Sequence, residues 1–151
     1  MKSLKILSLV AAVLFAVACG EKQNNPDGPN GDKGALTGEW VLTSWNEAEP
    51  EFNVYIDFNE DNTFEMYQQV WSFDYELFKG TYTIEGNVVS GVYDNGAAWA
   101  CDYEYVLEEQ TLTLHSRETV KSKSVYEKCT IPEQIKAEAS ATRSSEVVPF
   151  L

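Results

Sequence analysis

The sequence predicts an all-β chain, an eight-stranded antiparallel up-and-down barrel followed by a short C-terminal helix. Three observations point there. Aromatic residues are plentiful among the 151 positions, with eight Tyr, seven Phe and four Trp, and Thr and Val are frequent, the composition of strands. Short alternating segments recur every 8–14 residues with turn signals between them, the spacing of a sandwich or barrel. Helical periodicity is nearly absent before residue 132. About 115 residues follow position 35, enough for one domain around one core.

The chain opens with Lys2 and Lys5 ahead of an apolar run, Ile6 to Val17, broken only by Ser8. Twelve residues cannot span a bilayer core of about 30 Å as a helix, which takes roughly 20. A basic start, a short apolar middle and small residues at the end mark residues 1–18 as a secretory signal peptide. Ala16-Val17-Ala18-Cys19 resembles the lipobox of bacterial lipoproteins. That resemblance implies cleavage before Cys19 and acylation of its sulfur by palmitate-like chains; the alternative is secretion with a free Cys19. Two or three acyl chains hold a protein stably on a membrane. The expected location is therefore the cell envelope, on the outer membrane, with the side left open because Glu21 alone is a weak sorting signal.

Residues 19–35 form a tether. Gly20 to Gly34 contains no aliphatic or aromatic residue and cannot bury enough to offset ordering. Some 15 residues give a mean reach of roughly 20 Å.

Residues 36–131 hold the strands, expected near 37–45, 53–58, 63–70, 78–85, 88–93, 101–108, 111–117 and 124–130. Gly86-Asn87 is a two-residue hairpin signal; pairing Glu85 with Val88 puts Ile84, Val89, Tyr82 and Gly91 on one face. A turn at Glu109-Gln110 pairs Leu107 with Leu112, Tyr105 with Leu114 and Tyr103 with Ser116, and sets Glu104 opposite His115 and Asp102 opposite Arg117 on the outer face. A one-residue slip would turn those acids inward, so the register is well specified. A third hairpin around Glu60-Asp61-Asn62 pairs Phe58 with Phe64, Ile56 with Met66 and Val54 with Gln68. Closure into a barrel removes exposed edges; an open sandwich is the alternative. Residues 132–151 start with Pro132 at the first turn of a helix over 133–139. They end in a tail, Val147 to Leu151, which either docks on the barrel or stays loose.

Without Lys2 and Lys5 the chain keeps nine Lys or Arg against 24 Asp or Glu, a net charge of −15. That charge opposes binding to nucleic acid or to an anionic membrane surface. Cys101 begins the sixth strand and Cys129 ends the eighth. Two strand spacings of about 4.8 Å and some six residues of rise at about 3.3 Å separate them, whereas a disulfide needs Cα atoms within about 7 Å. Two unpaired thiols are expected, with Cys101 facing inward beside Tyr103.

Gly38-Glu39-Trp40 on the first strand, Phe58 and Phe64 across an acidic turn, and Gly80-Thr81-Tyr82-Thr83-Ile84 leading to Gly86-Asn87 resemble the bacterial lipocalin-like lipoproteins over roughly residues 36–130. The resemblance implies that Trp40 packs structurally across a closed barrel end and that a small apolar molecule binds inside. The Thr-Asp-Tyr strand motif and the late Arg of lipocalins have no clear counterparts. Tyr67 and Trp71, with Phe73 and Tyr75, crowd the stretch between strands three and four, and Trp99 precedes strand six; they either finish the core or line the open mouth. Tyr82, Tyr103 and Tyr105 bring hydroxyls to the inner face, where each needs a partner or a ligand. Such a barrel is filled by side chains or holds one small ligand; the many inward aromatics favour a small or absent cavity.

Chemistry is sparse. His115 is the only histidine, expected on the surface beside Glu104, and one His does not make a metal site. Asp57-x-Asn59-x-Asp61 starts like a calcium loop, but Asn62 and Gln68 stand where Gly and Glu are required. No catalytic residue, metal or cofactor is expected. The leading reading is a monomeric, membrane-anchored binder of a small hydrophobic ligand; a solid-barrelled envelope module binding glycan or protein is the alternative, and an enzyme comes third.

Overall fold

In the computed structural model, residues 34–141 and 147–151 are described, and they fold as one closed eight-stranded barrel. The strands are β1 (Gly38–Trp45), β2 (Asn53–Phe58), β3 (Thr63–Gln69), β4 (Glu76–Glu85), β5 (Val88–Tyr93), β6 (Tyr103–Glu108), β7 (Thr111–Ser116) and β8 (Lys123–Lys128), followed by helix α1 (Glu133–Ala141). Every neighbouring pair is antiparallel, and β1 pairs β8 from Trp40↔Lys128 to Trp45↔Ser124, which excludes the open sandwich. The signal peptide, Cys19 and most of the tether lie outside the described residues.

The three hairpins carry the expected registers: Phe58↔Phe64, Glu85↔Val88 and Glu108↔Thr111. Gly86 turns with φ +62°, the left-handed conformation that makes glycine useful there. The hairpin turns and the start of β1 share one pole of the barrel. The loops 46–52, 70–75, 94–102 and 117–122 share the other, which is the mouth.

At the closed pole Trp40 is 1% exposed, and its Nε1 donates to the Leu36 carbonyl at 2.8 Å. Gly38, at φ +129°, lets the chain enter β1 against the stem of Lys128, whose Nζ lies 5.3 Å from the centre of the Trp40 ring. Above it Ile56, Phe58, Phe64, Met66, Tyr82, Leu112, Leu114 and Tyr126 fill the lumen, all buried. Up to the mouth, the barrel is therefore packed with side chains.

The β5–β6 seam departs from expectation. Only Val88↔Glu104 and Val89↔Tyr103 pair across it. The upper half of β5 is met by its own following loop: Trp99 N donates to Gly91 O, Tyr93 N to Ala97 O, and Val92 bridges Ala98. β6 starts after this fold-back, at Tyr103 rather than at residue 101. Below Tyr105, β6 has no β5 residue beside it, because β5 begins at Val88. Leu107 keeps its place opposite Leu112 yet is 39% exposed. Arg117 likewise reaches Glu104 at 3.8 Å rather than the Asp102 side chain, and meets Asp102 through the backbone, N to O at 3.0 Å.

Helix α1 covers the outer face of β3 and β4. Ile131, Ile135 and Ala139 bury Tyr67 there, with Tyr55, Tyr75, Leu77 and Cys129 around them. Glu39 ties this layer down, accepting from Ile131 N at 2.7 Å and from Lys136 Nζ at 2.6 Å. Cys101 packs against the inner core and Cys129 against the outer one, and both thiols are free.

Candidate ligand site at the barrel mouth

The mouth is occupied by the chain itself. Val147–Leu151 does not stay loose: Phe150 packs against the inner core, and Leu151 is 2% exposed within it. The segment is held by backbone contacts. Gln68 Nε2 donates to Val148 O at 3.0 Å, and Gln68 Oε1 accepts from Phe150 N at 2.8 Å. Tyr93 OH donates to Leu151 O at 2.7 Å, and Trp71 Nε1 to Val148 O at 3.2 Å. The Phe150 ring lies 5.6 Å from Phe52 and 6.1 Å from Trp45, centre to centre.

On one side of the segment is an open cleft of about 610 Å³, walled by Trp45, Phe52, Trp71, Tyr103, Val120 and Phe150. On the other is a smaller hollow of about 260 Å³ against Phe78, Tyr93, Ala97 and Leu151. The space lies at the mouth, above a lumen that side chains fill. Residues of loops 46–52 and 117–122 line the cleft together with Phe150.

Of the six residues singled out for ligand contact, two reach this cleft. Trp71 stands on its rim, 70% exposed, and Tyr103 lies at its floor, 6% exposed. Burial pushes the Tyr103 hydroxyl well above the usual tyrosine value, with Cys101 beside it adding to the effect. Trp99 is core rather than rim: it is 5% exposed, its ring occupies the space left by Gly91, and Phe64 lies 5.2 Å away. Tyr82 is deep in the barrel, its OH donating to Asn59 O at 3.0 Å, and the Tyr105 OH reaches Gly86 O at 3.4 Å near the closed pole. Those two hydroxyls are met by turn carbonyls rather than by each other. Tyr67 is outside the barrel altogether. It alternates with the inward Met66 and Gln68, so the β2–β3 register itself sends it to the outer face.

The other sequence candidates also find places. His115 is half-buried opposite Glu104. Asp61 serves its hairpin: Oδ1 accepts from Thr63 N at 3.0 Å and from Thr63 Oγ1 at 2.6 Å, which holds its carboxyl below the usual value. No group of three His, Cys, Asp or Glu able to hold a metal occurs among the described residues, and none of their helices is long and apolar enough to cross a membrane. Two residues were not singled out from the sequence as site candidates. Gln68 is fully buried and Glu76, its cross-strand partner, is 4% exposed, both at the mouth end of the inner face. The signal was available for Gln68: an amide opposite Val54 on an otherwise apolar face.

A closed up-and-down barrel with a tryptophan-sealed pole and an aromatic mouth defines the lipocalin-type class of β-barrel. A model of the lipocalin-like domain matches residues 36–114, more than half of the chain, and the protein belongs to that family. Among solved structures, a lipocalin-like protein from Bacteroides uniformis is 19% identical over 64% of this chain and all of that one, with a TM-score of 0.51. An uncharacterized protein from Bacteroides eggerthii is 14% identical over 62% of this chain and 98% of that one, with a TM-score of 0.49. No curated protein sequence matches the chain.

Proposed function

We propose that this protein is a lipid-anchored lipoprotein of the bacterial outer membrane whose barrel mouth binds a small apolar ligand without catalysing its conversion. The cleft of about 610 Å³ carries the binding reading, because ligand sites of this kind measure about 300–1,000 Å³ and are walled by aromatic and aliphatic groups with a few polar ones. The anchor rests on the basic start, the twelve-residue apolar run and Ala16-Val17-Ala18-Cys19. The test is titration of a fluorescent long-chain fatty acid into the purified protein, together with native mass spectrometry of material from its own host. Saturable one-to-one binding that Trp71→Ala weakens several-fold is expected; non-saturable binding and no co-purifying small molecule would sink the reading. For the anchor, Cys19→Ser should abolish labelling by palmitate analogues, and a variant still acylated would refute it. The exposed Phe73, 99% accessible beside Trp71, favours a second reading, a glycan-binding rim, which a panel of soluble oligosaccharides separates from the first.

A further inference from the structure

We infer that the mouth recognises an extended apolar peptide, and that Val147–Leu151 is a resident occupant which an incoming peptide displaces; this rests on reading the mouth as a ligand site. A bare hydrocarbon asks nothing polar of its site. This one nevertheless places Gln68, fully buried, beside Glu76, 4% exposed. The Gln68 amide spends both ends on the backbone of one segment, Val148 O and Phe150 N. A carbonyl at one residue and an amide two residues later are what an extended strand offers a neighbouring strand, so one side chain stands in for a partner strand.

Tyr93 and Trp71 add two further contacts, also to backbone carbonyls. Main-chain contacts of this kind accept many sequences, while the pockets beneath select apolar side chains. Those pockets hold Phe150 against Trp45 and Phe52, and Leu151 in the core. Glu76 Oε2 is buried with no hydrogen-bond partner among the described residues, a spare acceptor that the resident segment leaves unused. Open clefts of about 610 and 260 Å³ flank the segment on its two sides. As a competitor carried on the same chain, it weakens any free ligand by the fraction of time it is docked.

The test uses an acetylated, fluorescently labelled peptide of sequence Val-Val-Pro-Phe-Leu, read by polarisation. It is titrated into the intact chain and into the chain carrying Phe150→Asp and Leu151→Asp, which expel the resident segment. The expelled variant should bind the peptide one-to-one and about tenfold or more tighter than the intact chain does. Adding Gln68→Leu to the expelled variant should abolish its peptide binding, the readout that ties recognition to that amide. Should the double variant fail to fold, the chain ending at Glu146 takes its place. Loss of folding in both overturns the inference, because a displaceable occupant must leave a folded barrel behind. An expelled variant with Gln68 intact that binds the fatty acid but not the peptide also overturns it and leaves the apolar-ligand reading standing, whereas neither bound defeats both. Equal peptide affinity for intact and expelled chains, or a dimer formed by exchange of the segment between copies, overturns the displacement.

Discussion

Gly91→Ala tests how Trp99 came to be core. Gly91 lies on the inner face of β5, and a Cβ there would come within 2.6 Å of Trp99 Cζ2 and closer still to Cε2. Carbon atoms rest at about 3.5–4.0 Å, so the indole has to retreat by about 1.5 Å. Its retreat is blocked by Phe64 at 5.2 Å and Tyr103 at 6.1 Å, both edge-to-face. Overpacking costs about 1–3 kcal/mol, and each ring pair is worth about 0.5–1.5 kcal/mol if broken. We expect a loss of about 3 kcal/mol, which at a urea m-value of about 1.5 kcal/mol/M lowers the midpoint by about 2 M. Gly86→Ala is the control, since nothing lies within 4 Å of its Cβ and only the left-handed backbone is strained, by about 1–2 kcal/mol. Urea melts followed by tryptophan fluorescence give both numbers. In a cycle with Trp99→Leu, the glycine substitution should cost about 2 kcal/mol less than it does alone. Strict additivity, or a Gly91→Ala variant within about 0.5 kcal/mol of the parent, would refute the claim that the ring needs that space.

Two further predictions concern the outer face. Glu39, Asp57, Glu65 and Lys79 stand in one cross-strand row. Burial, then the Glu39 carboxylate, raises the Asp57 carboxyl above its ordinary 3.8, with Glu65 adding and Lys136 opposing. A raised native pKa means that the charged form costs stability at neutral pH and that this cost vanishes as pH falls through the native value. Asp57→Asn should therefore raise Tm at pH 7, with the gain fading toward about pH 4. Glu65 is the opposite case: burial would raise it, but hydrogen bonds from Lys79 and Tyr67 hold it below its ordinary value. Its contribution is present above the unfolded pKa and lost as pH falls through the native one, so Glu65→Gln should lower Tm at pH 7 and matter little near about pH 3. Calorimetry across that range checks both signs, and the same sign for the two variants would contradict the assignment. For the cysteines, a Cys19-free chain, denatured without reductant, should titrate two thiols. In the native state burial, with Glu39 and Asp57 nearby, pushes Cys129 up to about 11, so its alkylation should be slow at pH 8 and speed up toward that value. Zero titratable thiols would mean that the two are bonded.

Much of the barrel is legible in the sequence because hairpin geometry and alternation are local. Gly86-Asn87 and the acid-bearing outer face of β6 fix registers within a few residues of the turn, and those registers hold. What escapes is set by distant partners. Nothing near Trp99 says that it falls into the barrel; the reason is the bare Cα of Gly91, eight positions away. Tyr67 was grouped with the aromatic stretch after it, yet the Phe58↔Phe64 pairing already turns it outward, and what covers it there is a helix more than 60 residues later. The docked Val147–Leu151 was equally hidden, because five apolar residues without periodicity carry no address. The nearest clue was Gln68, an amide on an apolar face, which asks for a partner that its neighbouring strands do not supply.

The two-position pairing between β5 and β6 has a consequence for how the barrel breathes. A closed barrel has no terminal strand to fray, so opening has to begin at an internal seam, and the seam with the fewest shared hydrogen bonds sets the lowest local unfolding free energy. Here that line runs from the exposed Leu107 at the closed pole, past Val88 and Val89, to the folded-back loop 94–102 at the mouth. The other seams each pair at four or more positions. The barrel therefore behaves as a sheet rolled around its core and fastened along one short line. Hydrogen exchange is therefore expected to be fastest, within the barrel, along this line.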